Sequence, residues 1–545
     1  MELGRTLTRR EMLTALVGAP AALAACRHAH RPPAFSGRLL GPDAVLGHRL
    51  RDGFRPAPSE PPQKIGVVII GAGPAGLSAA WKLHRSGFDD FVVLELEEQA
   101  GGTSASGRNA VSAYPWGAHY VPVPLSHSRA LIELLDEMGA TEGRDAAGQV
   151  RIKEELLCRA PQERLFRAGV WSEGIYPRLG ATADDLGQLR AFEAEVDRWV
   201  DFRDPQGRRA FSVPIAYGAE HPELDALDQL SLADWLRARH LTSPRLLWYL
   251  EYACRDDYGA TLETTSAFAG LLYFAARVDH RGAKAAEFIT WPEGNGRLVA
   301  HLAQASGERL RPRVAVTDVR PTEGGVEVWA YDAEKQKPLA FQAQHAIFAL
   351  PRHLAGRLVA PWRDEPPKFL SSFESSAWMV ANLTLRGRPR EESFPLCWDN
   401  VLFDSPGLGY VVATHQTGKD YDSSVWTYYR PFVEGPPAEA RRTLLSAEWS
   451  HWADAVVADL GRAHPDLAGL IENMDVWRWG HAMVRPTVGL LRGAALRAAR
   501  EPWGRIHFAH TDLSGLALFE EAQYWGVRAA ETILRERAID FRSSL

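Results

Sequence analysis

The residues Gly71-Ala72-Gly73-Pro74-Ala75-Gly76 place three glycines at the spacing GxGxxG. That spacing suits the holding of a diphosphate rather than bond making by a side chain. The first glycine permits a tight turn, the second lets backbone approach a pyrophosphate, and the third lets helix and strand pack closely. The phosphates then lie at a helix N-terminus, where free N–H groups and the dipole favour negative charge. Glu95 ends the next apolar run, where a carboxylate can accept both hydroxyls of an adenosine ribose. The same carboxylate would repel a ribose 2′-phosphate, which argues against NADP. Gly101-Gly102 offers a second backbone segment to the same pyrophosphate.

Other chemistry-bearing residues are scattered. "CRDDYGA" sets Asp256 and Asp257 beside Tyr258. Paired acids suit a cationic amine, and equally a helix cap or a pairing with Arg255. Glu293 and Asn295 in "WPEGNG" either face a ligand or complete a turn. His481 in "WGHAMVRP" and His415 in "GYVVATHQ" are acid–base candidates near neutral pH. A lone histidine on a strand, as His415 is, also reads as structural. Trp378 is an aromatic wall or plain packing. The chain has no GxSxG elbow, no HExxH and no zinc-type Cys/His spacing, so neither a hydrolase nor a metal centre is expected.

These residues need elements to hold them. Ile65 to Ile70 reads as a buried parallel strand from its β-branched run. Ala75 to Arg85 carries a helical pattern that stops at Gly87, and Phe91 to Leu94 is the next strand. Helical patterns follow at Ser126–Met138, Thr182–Phe202, Ser231–Tyr258 and Leu298–Ala305. Strands are expected at Val314–Arg320, Val326–Tyr331, Ala346–Leu350 and Ala377–Leu385, with surface loops at 386–395 and 431–437. The chain closes with a strand-like "WGRIHFAHTD" and a helix from about Phe519 to Arg537. Ala522, Trp525, Ala529, Ile533 and Leu534 share one face of that helix.

The stretch "VVIIGAGPAGLSAAWKL…VVLELEEQAGGTS" resembles the N-terminal FAD signature of the flavin-containing amine oxidase and phytoene desaturase superfamily. "YPWGAHYVP" resembles the next family segment, "RPRVAVTDV" and "AIFALP" its adenine-contacting strand and following turn, and "GRIHFAHTDLSGLALFEEAQYWGVRAAETIL" its C-terminal FAD segment. The resemblance implies an α/β fold: a Rossmann-like FAD-binding domain built from discontinuous segments, plus a mixed α+β substrate domain. It implies FAD contacts at Gly71, Gly73, Pro74, Ala75, Gly76, Glu95, Gly101, Gly102, Thr103, His119, Val314, Asp512, Leu518 and Phe519. It sets the FAD domain at 63–124, 286–355 and 470–540, and the substrate domain at 125–285 and 356–469. A helix N-terminus at Leu518-Phe519 would stabilise the negative charge of reduced flavin by about 0.3–1 kcal/mol, and up to ~2 when partly buried. The family lysine near flavin N5 has no counterpart here, since Val380 falls near its place. Ala482 and Leu518 stand where the family sets two aromatic rings. His481 lies near where some relatives attach flavin through a cysteine.

The chain has 545 residues, with 62 Lys and Arg against 68 Asp and Glu, a net charge of -6. That balance gives no electrostatic case for nucleic acid. The four cysteines form no CxxC pair, so Cys158, Cys254 and Cys397 read as small buried residues. Cys26 differs. Arg9-Arg10 precede the apolar stretch Met12–Ala25, and Leu23-Ala24-Ala25-Cys26 ends it. This resembles a twin-arginine export signal with a lipobox, which implies an exported envelope or periplasmic protein anchored by lipid at Cys26; the alternative is an ordinary amphipathic leader or a misassigned start codon. Residues 27–62, rich in Pro and Arg, read as an extended linker, with His28 and His30 part of it.

The expected function is an FAD-dependent oxidoreductase of amine oxidase type, acting on a small molecule such as an amine or polyamine. Hydride passes from a substrate C–H bond to flavin N5. Oxygen, a quinone or a periplasmic carrier then reoxidises the flavin. Alternatives are a desaturase or isomerase of an apolar substrate, and a non-enzymatic envelope flavoprotein.

Overall fold

The computed structural model describes residues 33–278, 280–281 and 287–545. The leader, with Arg9-Arg10 and Cys26, lies outside the described residues, as do His28 and His30. Strand β1 (Gln63–Ile70) leads into helix α1 (Pro74–Arg85), and β2 (Phe91–Leu94) follows. Much later come α2 (Gly296–Ser306), β3 (Leu310–Arg311), β4 (Val314–Thr322), β5 (Gly325–Asp332) and β6 (Lys337–Phe348). Strand β7 (Ile506–Phe508) and helix α3 (Phe519–Glu536) complete the unit. The sheet order is β3-β2-β1-β6-β5-β4, with β7 pairing β6. β1 runs parallel to β2 and to β6, while β4, β5 and β6 meander antiparallel.

The reason β1 reads as a continuous apolar run is burial on both faces. Val67, Val68 and Ile69 are fully buried, with α1 packed on the sheet. α1 and α3 touch where glycine allows it. A Cβ on Gly526 would lie 2.1 Å from the Ala75 carbonyl oxygen. Pro74 opens α1 with its φ preset and no N–H to leave unpaired.

The second sheet has eight strands, in the order Leu39–Leu40, Ile471–Val484, Ser375–Leu385, Ser424–Phe432, Gly409–Val412, Asp399–Leu402, Glu163–Arg167 and Val170–Glu173. Beside it stands a helical layer, Ala183–Asp201, Pro222–Asp228, Leu232–Ala238, Pro244–Tyr258 and Ala267–Ala275, with its own apolar core. Thr182 starts the first of these helices with a capping box: its hydroxyl accepts from Asp185 N–H at 3.1 Å, and the Asp185 carboxylate accepts from Thr182 N–H at 2.9 Å.

Three boundaries differ from the sequence reading. The single helix expected over Ser231–Tyr258 is two, because Ser243-Pro244 caps and starts a new helix. Residues 471–484 join the second sheet rather than the nucleotide domain, through a long antiparallel pairing with 375–385. Residues 33–62 of the expected linker dock on both sheets instead of forming an extended tether. Leu39–Leu40 pairs with Val476-Trp477, and Ala44–Arg51 forms a helix capped by Asp43. Tertiary contacts override its tether-like composition: Phe54 sets its ring edge-on to Tyr331 at 5.0 Å.

No helix among the described residues is long and apolar enough to cross a membrane. Cys158, Cys254 and Cys397 are free and buried.

Candidate active site

The cradle begins where β1 ends. Gly71 has φ +98°, and its N–H donates to the Leu94 carbonyl at 2.8 Å. A Cβ on Gly76 would sit 1.9 Å from the Gly71 carbonyl oxygen. Gly73 faces open space, with nothing within 4 Å of where a Cβ would point. It also caps α1 without a side-chain hydrogen bond, so the first N–H groups of that helix are left for a ligand. The second glycine segment closes on the first. Gly101 N–H donates to the Ala72 carbonyl at 2.8 Å, and a Cβ on Gly102 would lie 3.4 Å from Gly73 Cα.

Glu95 accepts hydrogen bonds from Ala72 N–H at 2.6 Å and Glu97 N–H at 2.9 Å, and burial raises its pKa. Val314 N–H donates to the Glu95 carbonyl at 2.8 Å. A cavity of about 750 Å³ opens here, lined by Gly71, Glu95, Val314 and Leu350. His48, Arg51, His353, Arg357, Arg441 and His481 line it as well. Asp512 accepts from Arg352 N–H at 2.7 Å and lies 3.0 Å from His510 Nδ1. Burial works to raise its pKa, but these partners hold it below the ordinary carboxylate value. α3 starts at Phe519 with Leu518 as an N-cap that makes no side-chain bond. Its first turn also carries Glu520 and Glu521, both buried, and burial pushes Glu521 up to about 7.

Residues 113–119 link this cradle to the second sheet. Trp479 Nε1–H donates to the Trp116 carbonyl at 2.7 Å, Asn382 Nδ2–H to Pro115 at 3.0 Å, and Tyr429 O–H to Gly117 at 2.9 Å. Thr103 gives its carbonyl to Ala118 N–H at 3.0 Å. Asn295 N–H donates to the Ala118 carbonyl at 3.0 Å, and the Asn295 Oδ1 is buried without a partner. Tyr120–Pro122 pairs with Phe288–Thr290, which fixes His119 and Tyr120.

His119 and Tyr120 open a second, caged pocket. Tyr252, Tyr273, Trp398 and Tyr429 wall it, and Glu163, Asp256 and Asp399 stand inside. Tyr252 and Asp256 lie four residues apart on the helix Pro244–Tyr258, so they share a face. Asp399 and Glu163 are direct partners across two parallel strands. Like charges placed side by side are destabilising. Burial raises the pKa of all three: Asp256 to about 7 with help from the Asp257 charge, Asp399 well upward with help from Asp256 and Glu163, and Glu163 upward through burial alone. No lysine or arginine among the described residues lines this pocket. His119 is pushed down to about 4 by burial, so it is neutral at pH 7.

The sequence candidates are distributed unevenly. His119, expected at the cofactor, also lines the cage. Trp378 is buried in the aromatic layer behind the cage with Val380, and its Nε1–H donates to Ser376 Oγ at 2.9 Å. His481 lies in the other cavity, stacked on His353 at 4.3 Å, and burial pushes it down to about 3. His415 Nε2 meets the Arg159 carbonyl at 2.8 Å and lines neither cavity. Ala482 is partly buried beside the aromatic layer, and Glu293 pairs with Arg297 at 2.5 Å. Asp256 was visible in the sequence as one of a pair. Glu163 and Asp399 were not, because each stands alone in its own strand.

A discontinuous Rossmann-like sheet with a glycine cradle, and a second domain closing a caged pocket against it, define an FAD-dependent oxidoreductase. The family pattern of an NAD(P)-binding Rossmann-like domain matches residues 69–138. Oxidoreductase PigB of Serratia sp. (strain ATCC 39006) is 24% identical over 86% of this chain and 74% of its own. AofH of Mycobacterium tuberculosis, assigned by name to the flavin-containing monoamine oxidases, is 29% identical over 88% of this chain and 98% of its own. A putrescine oxidase solved with putrescine shares the fold at TM-score 0.65 and 18% identity, over 87% of this chain and all of that one. The curated likenesses are to an oxidoreductase and to a flavin-containing monoamine oxidase by name, and the solved structure shows a shared fold.

The residues present fit FAD. The open Gly73 position and the bare N-terminus of α1 suit the diphosphate, Glu95 the ribose, and the Val314–Leu350 cleft the adenine. The unpartnered Asn295 Oδ1 beside residue 118 leaves a polar atom for the flavin ring.

Proposed function

We propose that the protein oxidises a cationic amine held in the caged pocket. Once a cage carboxylate has taken one proton from the ammonium, bound FAD would supply the two-electron acceptor for a hydride from the C–H bond next to the neutral nitrogen. One observation carries this reading: three carboxylates share an aromatic cage that no cationic side chain lines. A buried carboxylate is costly unless paired; Arg277, 4.0 Å from Asp257, offsets the charge near Asp256 but not at Asp399 and Glu163, and an ammonium group fits there. Asp256, Asp399 and Glu163 hold that ammonium, and entry of the cation favours their ionised forms. Tyr120, Tyr252, Trp398 and Tyr429 exclude water and offer ring faces to the cation. His119 stays neutral and adds no competing charge. The oxidised product leaves as an imine and hydrolyses in solvent.

The acceptor is oxygen, a quinone or a periplasmic carrier. We further propose export and lipid anchoring through Cys26. The twin-arginine route moves folded proteins, which suits a cofactor loaded in the cytosol. Loss of the anchor in Cys26→Ser, seen as release from the membrane fraction, tests this.

The function is tested by mixing the holoenzyme anaerobically with monoamines, diamines and apolar polyenes. Bleaching of the oxidised flavin's visible absorbance by an amine supports the proposal. Bleaching or isomerisation with the polyene alone would replace it by a desaturase or isomerase. Asp399→Asn should raise the KM for the amine about 10- to 100-fold, as for a lost charge-assisted hydrogen bond.

A further inference from the structure

A second cluster lies outside both cavities. His345 on β6 and His507 on β7 sit on adjacent parallel strands, where Ile347 is the register partner of His507. Positions 345 and 507 therefore face the same side of the sheet. Both histidines are 3% exposed. The last residue of α3, Glu536, reaches the same spot. His345 Nδ1 lies 3.2 Å from His507 Nε2 and 3.7 Å from Glu536 Oε2, and one ligand atom from each residue falls within 4.8 Å of the others.

We propose that His345, His507 and Glu536 form a binding site for one divalent transition-metal ion, zinc being the best match. Two imidazole nitrogens bound tetrahedrally at about 2.0–2.1 Å stand roughly 3.3 Å apart, close to the separation found. Two imidazoles and one carboxylate are ligands that zinc takes readily. Arg505 works against the ion: its guanidinium holds Glu536 Oε2 at 2.7 Å. The same Oε2 is the oxygen 3.7 Å from His345 Nδ1, so a metal would share that carboxylate with Arg505.

The site is structural rather than redox. α3 has 18 residues, so Glu536 stands about 25 Å from the end of that helix nearest the cofactor, at 1.5 Å per residue. A metal here ties three segments that are far apart in sequence: β6, the short strand β7 and the end of the final helix. No motif spacing announces it, because the ligands come from residues 345, 507 and 536.

The test uses the full-length holoenzyme, stripped with chelator and titrated with Zn²⁺ and with Co²⁺. One equivalent of Zn²⁺ should bind, Co²⁺ should give the visible bands of a low-coordinate site, and the melting temperature should rise by a few degrees. His345→Ala and Glu536→Gln should each weaken uptake at least 10-fold while flavin content stays unchanged. If His345→Ala fails to fold, Glu536→Gln alone decides. Failure of the wild type to take up Zn²⁺ would overturn the proposal, leaving a hydrogen-bonded imidazole pair beside an Arg–Glu pair. Uptake that survives Glu536→Gln undiminished would overturn it too, since the ion would then sit elsewhere.

Discussion

Gly73 and Gly76 lie three residues apart and respond differently to one added methyl group. At Gly76 the methyl meets the Gly71 carbonyl at 1.9 Å, whereas at Gly73 it meets nothing within 4 Å. Gly76→Ala should therefore destabilise the fold by about 1–3 kcal/mol or more, seen as a lower melting temperature with or without FAD. Gly73→Ala should leave the apoprotein's melting unchanged and weaken FAD uptake at least 10-fold, measured by flavin fluorescence titration. Equal effects of the two changes would refute the cradle. Asp256 supports a second residue-level prediction. Its carboxyl is held near 7 by burial and by Asp257, against 3.8 in the unfolded chain. The folded form then binds more protons than the unfolded between those values. The empty protein's stability from this group is greatest toward pH 4 and is lost as pH rises through 7. Cation binding runs the opposite way. A quaternary ammonium probe, which carries no proton of its own, should bind more tightly as pH rises from about 6 to about 8. Asp256→Asn should flatten that profile, and a flat wild-type profile would remove Asp256 from the site.

The N-terminal segment ties both domains. Leu39–Leu40 adds a strand to the second sheet, while Asp43 caps the Ala44–Arg51 helix by accepting from Leu46 N–H at 2.9 Å. The same carboxylate takes Arg313 Nη1–H at 2.8 Å, and Asp43 N–H donates to Glu97 at 2.9 Å. The helix lays Gly47, His48, Leu50 and Arg51 along the adenosine cavity. Asp43→Ala removes a cap worth about 1 kcal/mol together with its ion pair. FAD should then dissociate roughly fivefold faster or more, the rate equivalent of that energy. The rise of free-flavin fluorescence after rapid dilution of the holoprotein measures it, and an unchanged rate would mean that the segment does not cover the cofactor. This strap marks the limit of what the sequence displays. β1, α1, β2 and Glu95 are legible because one short stretch carries turn, helix start and acid together. α3 is legible from its single apolar face. The strap's Pro and Arg content suits a tether, and partners distant in sequence, among them Tyr331, Val476 and Arg313, give it a place to dock. The cage is hidden for the same reason. Glu163, Asp256 and Asp399 come from two strands and a helix; the Asp256-Asp257 pair shows in the sequence, but Glu163 and Asp399 each resemble a surface acid.

At the scale of the molecule, the groups that fit FAD come from residues 71–76, 95–103, 314, 350 and 512–519. Between these segments the chain leaves twice, once to build the helical layer and once to build most of the second sheet. The second sheet returns to grip residues 115–117 through Asn382, Tyr429 and Trp479. A ligand that needs all these segments has no site in the unfolded chain, so its binding energy adds to folding stability. With free FAD at about 1,000 times its dissociation constant, that contribution is about 4 kcal/mol. Removing FAD with chaotrope should therefore lower the calorimetric melting temperature by several degrees. Added FAD should restore it in a concentration-dependent way, with no further rise on adding FMN, which lacks the adenosine that Glu95 and Val314 are placed to hold. Apoprotein and holoprotein that melt together would show that the separated segments assemble without the cofactor and that the cradle does not bridge them.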